Sequence, residues 1–275
     1  MTEKTIIHPS AVVDPKATLG KGVSIGPFCC VGPDVILGDR VKLVSHVSLD
    51  GITSIGDDSI VYPFASLGHP PQDLKYSGEK SQTIIGKRCR IREYVTIQPG
   101  TKDDRMKTVV GDDCLLMVGA HIAHDCIIGN YVVMANNATL AGHVEIGDYA
   151  IIGGLAAVHQ FVRIGPYAMI GGTAAIANDV IPYGFVKGDH SALDGLNLVG
   201  MKRRGLGRDE IVRLRQAYRN IFEDRVQPLA DRVDAARKEF ANDSRVVELT
   251  DFIANAGRPL CLPKVESEQI DNAAA

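Results

Sequence analysis

Four of the chain's eight histidines, His121, His124, His143 and His159, fall in one stretch of the sequence. Imidazole titrates near neutrality and serves as proton acceptor, proton donor or metal ligand, so such a group raises several chemistries. A metal centre is one, because His121-x-x-His124 stands beside Asp125. The familiar helical zinc motif needs histidines at i and i+4, a spacing these residues lack. General-base catalysis is another. His124 would take the proton, Asp125 would orient or charge it, and the backbone amide of Gly142 would receive a developing oxyanion. Glycine at 142 would let a thioester carbonyl approach the backbone closely. No Ser or Cys in the cluster stands out as a covalent nucleophile, which favours direct transfer to an acceptor hydroxyl. The base with its oxyanion donor is the better reading, and no metal is expected.

What positions these residues is a sixfold repeat. Aliphatic residues recur every six positions from Ile7 to Leu67 and again from Val110 through Ile122, Leu140 and Val158 to Ile176. That period fits neither an amphipathic helix nor a single alternating strand and marks a repeat solenoid. Two residues before each aliphatic residue stands a small one, such as Ala120, Ala138 or Ala156. Side chains alternate across a strand, so both point inward from a very short strand. Cys29, Cys89, Cys114 and Cys126 occupy this small slot, and no CxxC occurs, so neither a disulfide framework nor a structural zinc is expected. The residue after the aliphatic one is often glycine, read as easing the bend that follows. Three hexads close one coil of 18 residues, with coils stacked at about 4.8 Å. His124, Gly142 and Gln160 then form one column, His121 and His159 face outward, and His143 lies at a corner. None of the four histidines fills an inward slot.

The repeat is interrupted near 68–84, without change of phase, and near 98–109, where Ile97 and Val110 are 13 residues apart. Excursions from a regular solenoid are often functional. The repeats are expected to stop at Pro182-Tyr183, giving a solenoid over 1–188 and a helical region over 189–262. Ile211, Leu214, Tyr218, Ile221 and Phe222 define one face of a helix over 209–222, and further helices are expected near 228–240 and 244–255. The polar segment 263–275 is expected to be a disordered tail. A net charge of −3 gives no electrostatic case for nucleic acid as a partner. No apolar stretch is long enough to span a bilayer and the opening residues do not start a signal peptide, so a cytoplasmic protein is expected.

Beyond the period, the motifs Gln72-Asp73-Leu74-Lys75-Tyr76, Ala120 to Cys126, Ala135 to His143, Ala157 to Phe161 and Gly200 to Gly205 closely resemble the UDP-N-acetylglucosamine O-acyltransferase family, over about residues 5–255. The resemblance implies a mainly β fold, a left-handed parallel β-helix of hexapeptide repeats with a C-terminal α-helical domain. It implies a homotrimer with active sites between subunits and no cofactor, which moves a 3-hydroxyacyl chain from acyl carrier protein to the 3-hydroxyl of UDP-N-acetylglucosamine. That is the first step of lipid A biosynthesis. By resemblance His124 matches the catalytic base, Asp125 its partner and the Gly142 amide the oxyanion donor. Asp73, Lys75, His121, His143, His159 and Gln160 match substrate-positioning groups, and Asn197, Arg203 and Arg204 match contacts to the nucleotide. Gly172 and His190 match positions that set acyl length, and a glycine at 172 predicts a longer chain. Val199 stands where the family commonly has Glu, which puts a carboxylate contact to the nucleotide in doubt. The basic run Lys202-Arg203-Arg204 with Arg208, Arg213, Arg215 and Arg219 reads either as a solvated face or as attraction for diphosphate and an acidic carrier protein. Zinc carbonic anhydrases on this fold pair histidines five residues apart, a separation absent here. Two alternatives are an N-acyltransferase of the same pathway, which carries an extra domain before its repeats, and a non-catalytic binding solenoid.

Overall fold

A computed structural model describes residues 4–188, 191–223 and 226–264. Nearly every strand is two residues long, one outward residue followed by the inward aliphatic one, as in Cys30–Val31 and His121–Ile122. Successive strands go to three different sheets, and each pairs in parallel with the strand one coil on. His121 lies opposite Thr139, which lies opposite Ala157. The result is the left-handed parallel β-helix that the resemblance implied. Its core is the two inward slots of each hexad: from Val23 and Ile25 to Ala174 and Ile176 these side chains are almost wholly buried, Cys29, Cys89, Cys114 and Cys126 among them. Each buried aliphatic residue contributes about 1.5–3 kcal/mol.

The corners correct the reading of the glycines. The bend is made three residues after the aliphatic position, where Asp125, His143, Leu155 and Phe161 take φ of 59°, 66°, 59° and 64°. Those residues are not glycine, although the left-handed region costs an L-residue about 1–2 kcal/mol. The glycine one step after the aliphatic residue serves stacking instead. A Cβ on Gly147 would land on the backbone of Pro166 in the next coil, and one on Gly26 would meet the carbonyl of Val44.

Both interruptions are tighter than the phase count gave. The strand Gln82–Ile85 closes the first and Lys107–Val110 the second, and these two strands pair with each other. The repeat also runs past Tyr183: Phe185 and Val186 pair with Met169 and Ile170 before an antiparallel strand, Ala192–Leu196, ends the sheet. A short helix α1 (Leu198–Arg203), absent from the sequence expectation, precedes α2 (Arg208–Phe222), α3 (Leu229–Glu239) and α4 (Ser244–Ala254). The apolar face expected for α2 is buried, and Arg163, half-buried and paired with the buried Asp179, sits against Phe252 of α4. No described helix is long and apolar enough to cross a membrane. His190 and residues 265–275 lie outside the described residues.

The two kinds of corner position respond oppositely to a change of Cβ. Gly147→Ala is expected to cost about 1–3 kcal/mol by overpacking the coil interface. Leu155→Gly, at an exposed left-handed corner, removes strain while loosening the unfolded chain and is expected to stay within about 1 kcal/mol of wild type. Urea unfolding of the two variants measures both. Equal losses would remove the distinction.

Candidate active site

His124 and Asp125 are the two turn residues of a corner between the second and third sheets. Adjacent in sequence, they meet because the turn swings Asp125 into its left-handed conformation. His124 Nδ1 lies 3.0 Å from Asp125 Oδ2, and the Asp125 side chain is completely buried. A buried carboxylate persists only when well bonded. Here the Thr101 amide reaches both oxygens at 3.1 and 3.0 Å, the Thr101 hydroxyl donates at 2.7 Å and the Arg105 amide at 3.2 Å. Burial alone would push the Asp125 pKa up. The bonds from His124 and Thr101, with the charge of His143, outweigh it and hold the carboxyl below its ordinary 3.8. An ionised carboxylate only accepts, so His124 Nδ1 carries a proton, and in the neutral ring the lone pair lies on Nε2.

Gly142 lies one coil above. A Cβ there would sit 2.5 Å from Cε1 and 2.6 Å from Nε2 of His124, so only glycine fits against the ring. Its N–H donates to no group among the described residues. A basic nitrogen and a vacant amide donor therefore share one spot, which suits abstraction of a hydroxyl proton together with stabilisation of an oxyanion. Cys126, the nearest thiol, points into the core, bonds to the Ala141 carbonyl and has its pKa pushed up to about 12 by burial, so it is no nucleophile. The His143 ring meets His124 edge-on at 4.8 Å and stacks on Phe161 at 4.2 Å. Its Nδ1 is 2.7 Å from Asp104 Oδ2. His121, outward on the same coil as His124, bonds the Thr96 hydroxyl at 2.6 Å. Burial, then the charge of His124, lowers the pKa of His121.

His124, Asp125 and His143 bring potential metal ligands within 4.8 Å of one another. Both Nδ1 atoms are taken by carboxylates and Asp125 is filled by Thr101 and Arg105, which leaves two Nε2 donors where a catalytic zinc uses three protein ligands.

The other residues singled out in the sequence lie apart from this cluster. His159 and Gln160 are exposed one coil further on, with His159 Nδ1 3.2 Å from the Gln160 carbonyl. Asp73 caps its own turn by accepting from the Lys75 amide at 2.9 Å, and Lys75 Nζ lies 3.9 Å from Asp103. Asn197 caps α1, accepting from the Gly200 amide at 2.9 Å and donating to the Tyr167 carbonyl at 2.8 Å. With Arg203 and Arg204 it lines a cavity of about 720 Å³ floored by Ile151, Met169 and Phe185. A Cβ on Gly172 would meet only Gly154, its carbonyl at 3.3 Å.

Thr101, Asp104 and Arg105 were missed by the sequence reading. The signal was in the register: Leu67 and Ile97, where the two excursions begin, pair into the same sheet as Ile122. Both excursions thus leave the His124 corner, two coils and one coil beneath it.

Comparisons with known proteins find relatives along nearly the whole chain. A relative from Caulobacter vibrioides, named acyl-[acyl-carrier-protein]–UDP-N-acetylglucosamine O-acyltransferase, is 55% identical over 94% of this chain and 99% of its own. The chain belongs to the UDP-N-acetylglucosamine O-acyltransferase family. The family model described as UDP-N-acetylglucosamine O-acyltransferase domain 2 matches residues 179–261, and that of the bacterial transferase hexapeptide, six repeats, matches 107–142. A crystal structure of a UDP-N-acetylglucosamine acyltransferase superposes with a TM-score of 0.91 at 43% identity, covering 94% of this chain and 99% of that one. The Campylobacter jejuni UDP-N-acetylglucosamine acyltransferase gives 0.89 at 38%, covering 94% and 100%.

Thr101→Val deletes a hydroxyl bonded to a buried charge and is expected to cost about 1.5–3 kcal/mol at pH 7. Because the native Asp125 pKa is depressed, that stabilisation is present above the unfolded value and is lost as pH falls through the native one. Unfolding titrations at neutral pH and near pH 3 are therefore expected to show the variant's deficit shrinking on acidification. A deficit independent of pH would mean that the hydroxyl does not act on the carboxylate.

Proposed function

We infer that this chain is an acyltransferase that moves an acyl group from acyl carrier protein to a hydroxyl of UDP-N-acetylglucosamine, the first step of lipid A biosynthesis. The observation that carries the reading is His124, bonded through Nδ1 to buried Asp125 and facing the vacant Gly142 amide with Nε2. In the mechanism we propose, Nε2 takes the proton of the acceptor hydroxyl as its oxygen attacks the thioester carbonyl. The Gly142 N–H holds the oxyanion of the tetrahedral intermediate. Collapse breaks the carbon–sulfur bond, and the departing thiolate recovers the proton from the imidazolium that Asp125 has stabilised. No cofactor is needed, and every atom and proton is accounted for.

The finer reading is a 3-hydroxyacyl chain delivered to the 3-hydroxyl by a cytoplasmic homotrimer. His121, His143, His159 and Gln160 position the sugar and acyl chain. Asp73 and Lys75 stand on an excursion whose Leu74 is fully exposed and which touches the second excursion rather than its own histidines, an arrangement suited to serving a neighbouring subunit's site. Arg203 and Arg204 beside the cavity of about 720 Å³ suit a nucleotide diphosphate, in the size range of small-ligand sites. Val199, 60% exposed at that cavity, offers the nucleotide no carboxylate. The solenoid over 1–188 then carries the chemistry, and the helical region over 189–262, through its basic run Lys202-Arg203-Arg204, faces the nucleotide and the carrier. Gly172, with His190, sets chain length and favours a longer acyl group.

His124→Ala is expected to lower turnover by about 10²–10⁴, as loss of a general base does. Near-normal turnover would refute the assignment. A panel of acyl carrier protein thioesters offered with UDP-N-acetylglucosamine, followed by product mass, tests the reaction itself. The account expects one added acyl group and a shift toward shorter donors in Gly172→Met. No transfer from any donor would sink the reading.

A further inference from the structure

The second excursion holds more than Asp125. Its base is anchored: Gln98, Pro99, Gly100 and Thr101 are buried, the Gln98 amide bonds to the Ile122 carbonyl at 3.0 Å, and the Met106 amide bonds to the Thr101 carbonyl at 3.2 Å. From this base Asp104 reaches Nδ1 of His143 at 2.7 Å, across 39 residues of sequence. The contact repeats the His124–Asp125 arrangement, with Nδ1 on a carboxylate oxygen and Nε2 free of any partner among the described residues. Phe161 stacked at 4.2 Å and the edge of His124 at 4.8 Å fix the plane of the His143 ring. They do not choose between its tautomers or prevent a half-turn flip. A carboxylate does both, because it accepts and cannot donate. Arg105 braces the same turn: one guanidinium nitrogen donates to the Asp125 carbonyl at 2.9 Å and another pairs with Glu145.

We propose that Asp104 is a positioning residue of the acyl transfer: by accepting from Nδ1 of His143 it locks that ring with Nε2 turned toward the substrate, so that one excursion arms both histidines. The proposal rests on the acyltransferase reading and on a substrate contact by His143, but not on His124 being the base. In the sequence Asp104 is one of four successive polar residues, Lys102-Asp103-Asp104-Arg105, in the second excursion. It becomes informative because the run leaves the solenoid directly beneath the histidine corner.

The test is a double-variant cycle in the full-length enzyme, with kcat and KM measured separately for acyl donor and nucleotide sugar. Asp104→Ala is expected to lower kcat/KM about 10- to 100-fold, the scale of a misplaced reacting group. In a His143→Ala background the same change is expected to cost less than about twofold, because the ring it acts through is gone. Asp104→Asn, whose amide can either accept or donate, is expected to lie between wild type and Asp104→Ala. It also serves the cycle if the alanine variant does not fold. The nitrogen-15 shifts of labelled His143 give a second readout, moving from an Nδ1-protonated signature in wild type toward a mixture in the variants. Equal losses in both backgrounds, no loss in wild type, or an unchanged tautomer signature would each overturn the proposal. Its failure is distinct from failure of the general base, which is read from His124→Ala alone.

Discussion

Everything in this molecule depends on parallel coils stacking at strand spacing with no freedom to slip. Outward backbone amides at a corner can then be met by a side chain one coil away. At the corner between the third and first sheets the solution is a ladder of carboxamide and carboxylate groups: Asp57 accepts from the Asp39 amide at 3.0 Å, Asn130 from Asp112 at 2.8 Å and Asp148 from Asn130 at 2.7 Å. At the corner between the second and third sheets the equivalent column holds His124, Gly142 and Gln160 instead, and the ladder is suspended. The Gly142 amide is vacant because Gln160, the residue one coil on that stands where the ladder's acceptors do, makes no side-chain bond back to it among the described residues. The site lies at a corner that does not carry that ladder.

Positioning there comes from below. Both excursions leave the same corner, and the second folds back so that Thr101 and Asp104 reach two different coils. Two imidazoles end with Nδ1 on a carboxylate and Nε2 outward, one from a neighbour in sequence and one from a residue on a separate loop. The excursions also touch each other, through Lys75 with Asp103 and through Glu79 with the Lys102 amide at 3.2 Å. A rigid solenoid thus carries a site whose fine geometry is set by its least regular segments, which can vary without disturbing the coils.

The repeat was legible because a strict period of six assigns every residue a direction. The inward aliphatics, the four cysteines in the small slot and the column of His124, Gly142 and Gln160 follow from counting alone. The winding hand did not follow, since periodicity carries no handedness, and it came with the family resemblance. The glycines were misread because a sequence shows that a Cβ is absent but not what it would strike. Gly147 is needed for the backbone of Pro166 in the next coil, while the true bends fall on Asp125, His143 and Leu155. Asp104 and Thr101 were invisible because a break in phase says where a loop starts and nothing about where it returns. Asn197, placed by resemblance near the nucleotide, is seen in this chain to cap α1, a duty that spacing did not reveal.

The central claim is direct transfer: an acceptor hydroxyl activated by His124 attacks the thioester, and no acyl-enzyme forms. Among the described residues the one hydroxyl in this cluster bonded to a ring nitrogen is Thr96, on His121, and no carboxylate of the described residues backs that imidazole. Rapid mixing of enzyme with acyl carrier protein thioester, in the absence of UDP-N-acetylglucosamine, separates the two routes. The account predicts no burst of free carrier and no added acyl mass on the protein until the sugar nucleotide is supplied. A burst stoichiometric with enzyme, with an acyl group retained on Thr96 or any other residue, would contradict it.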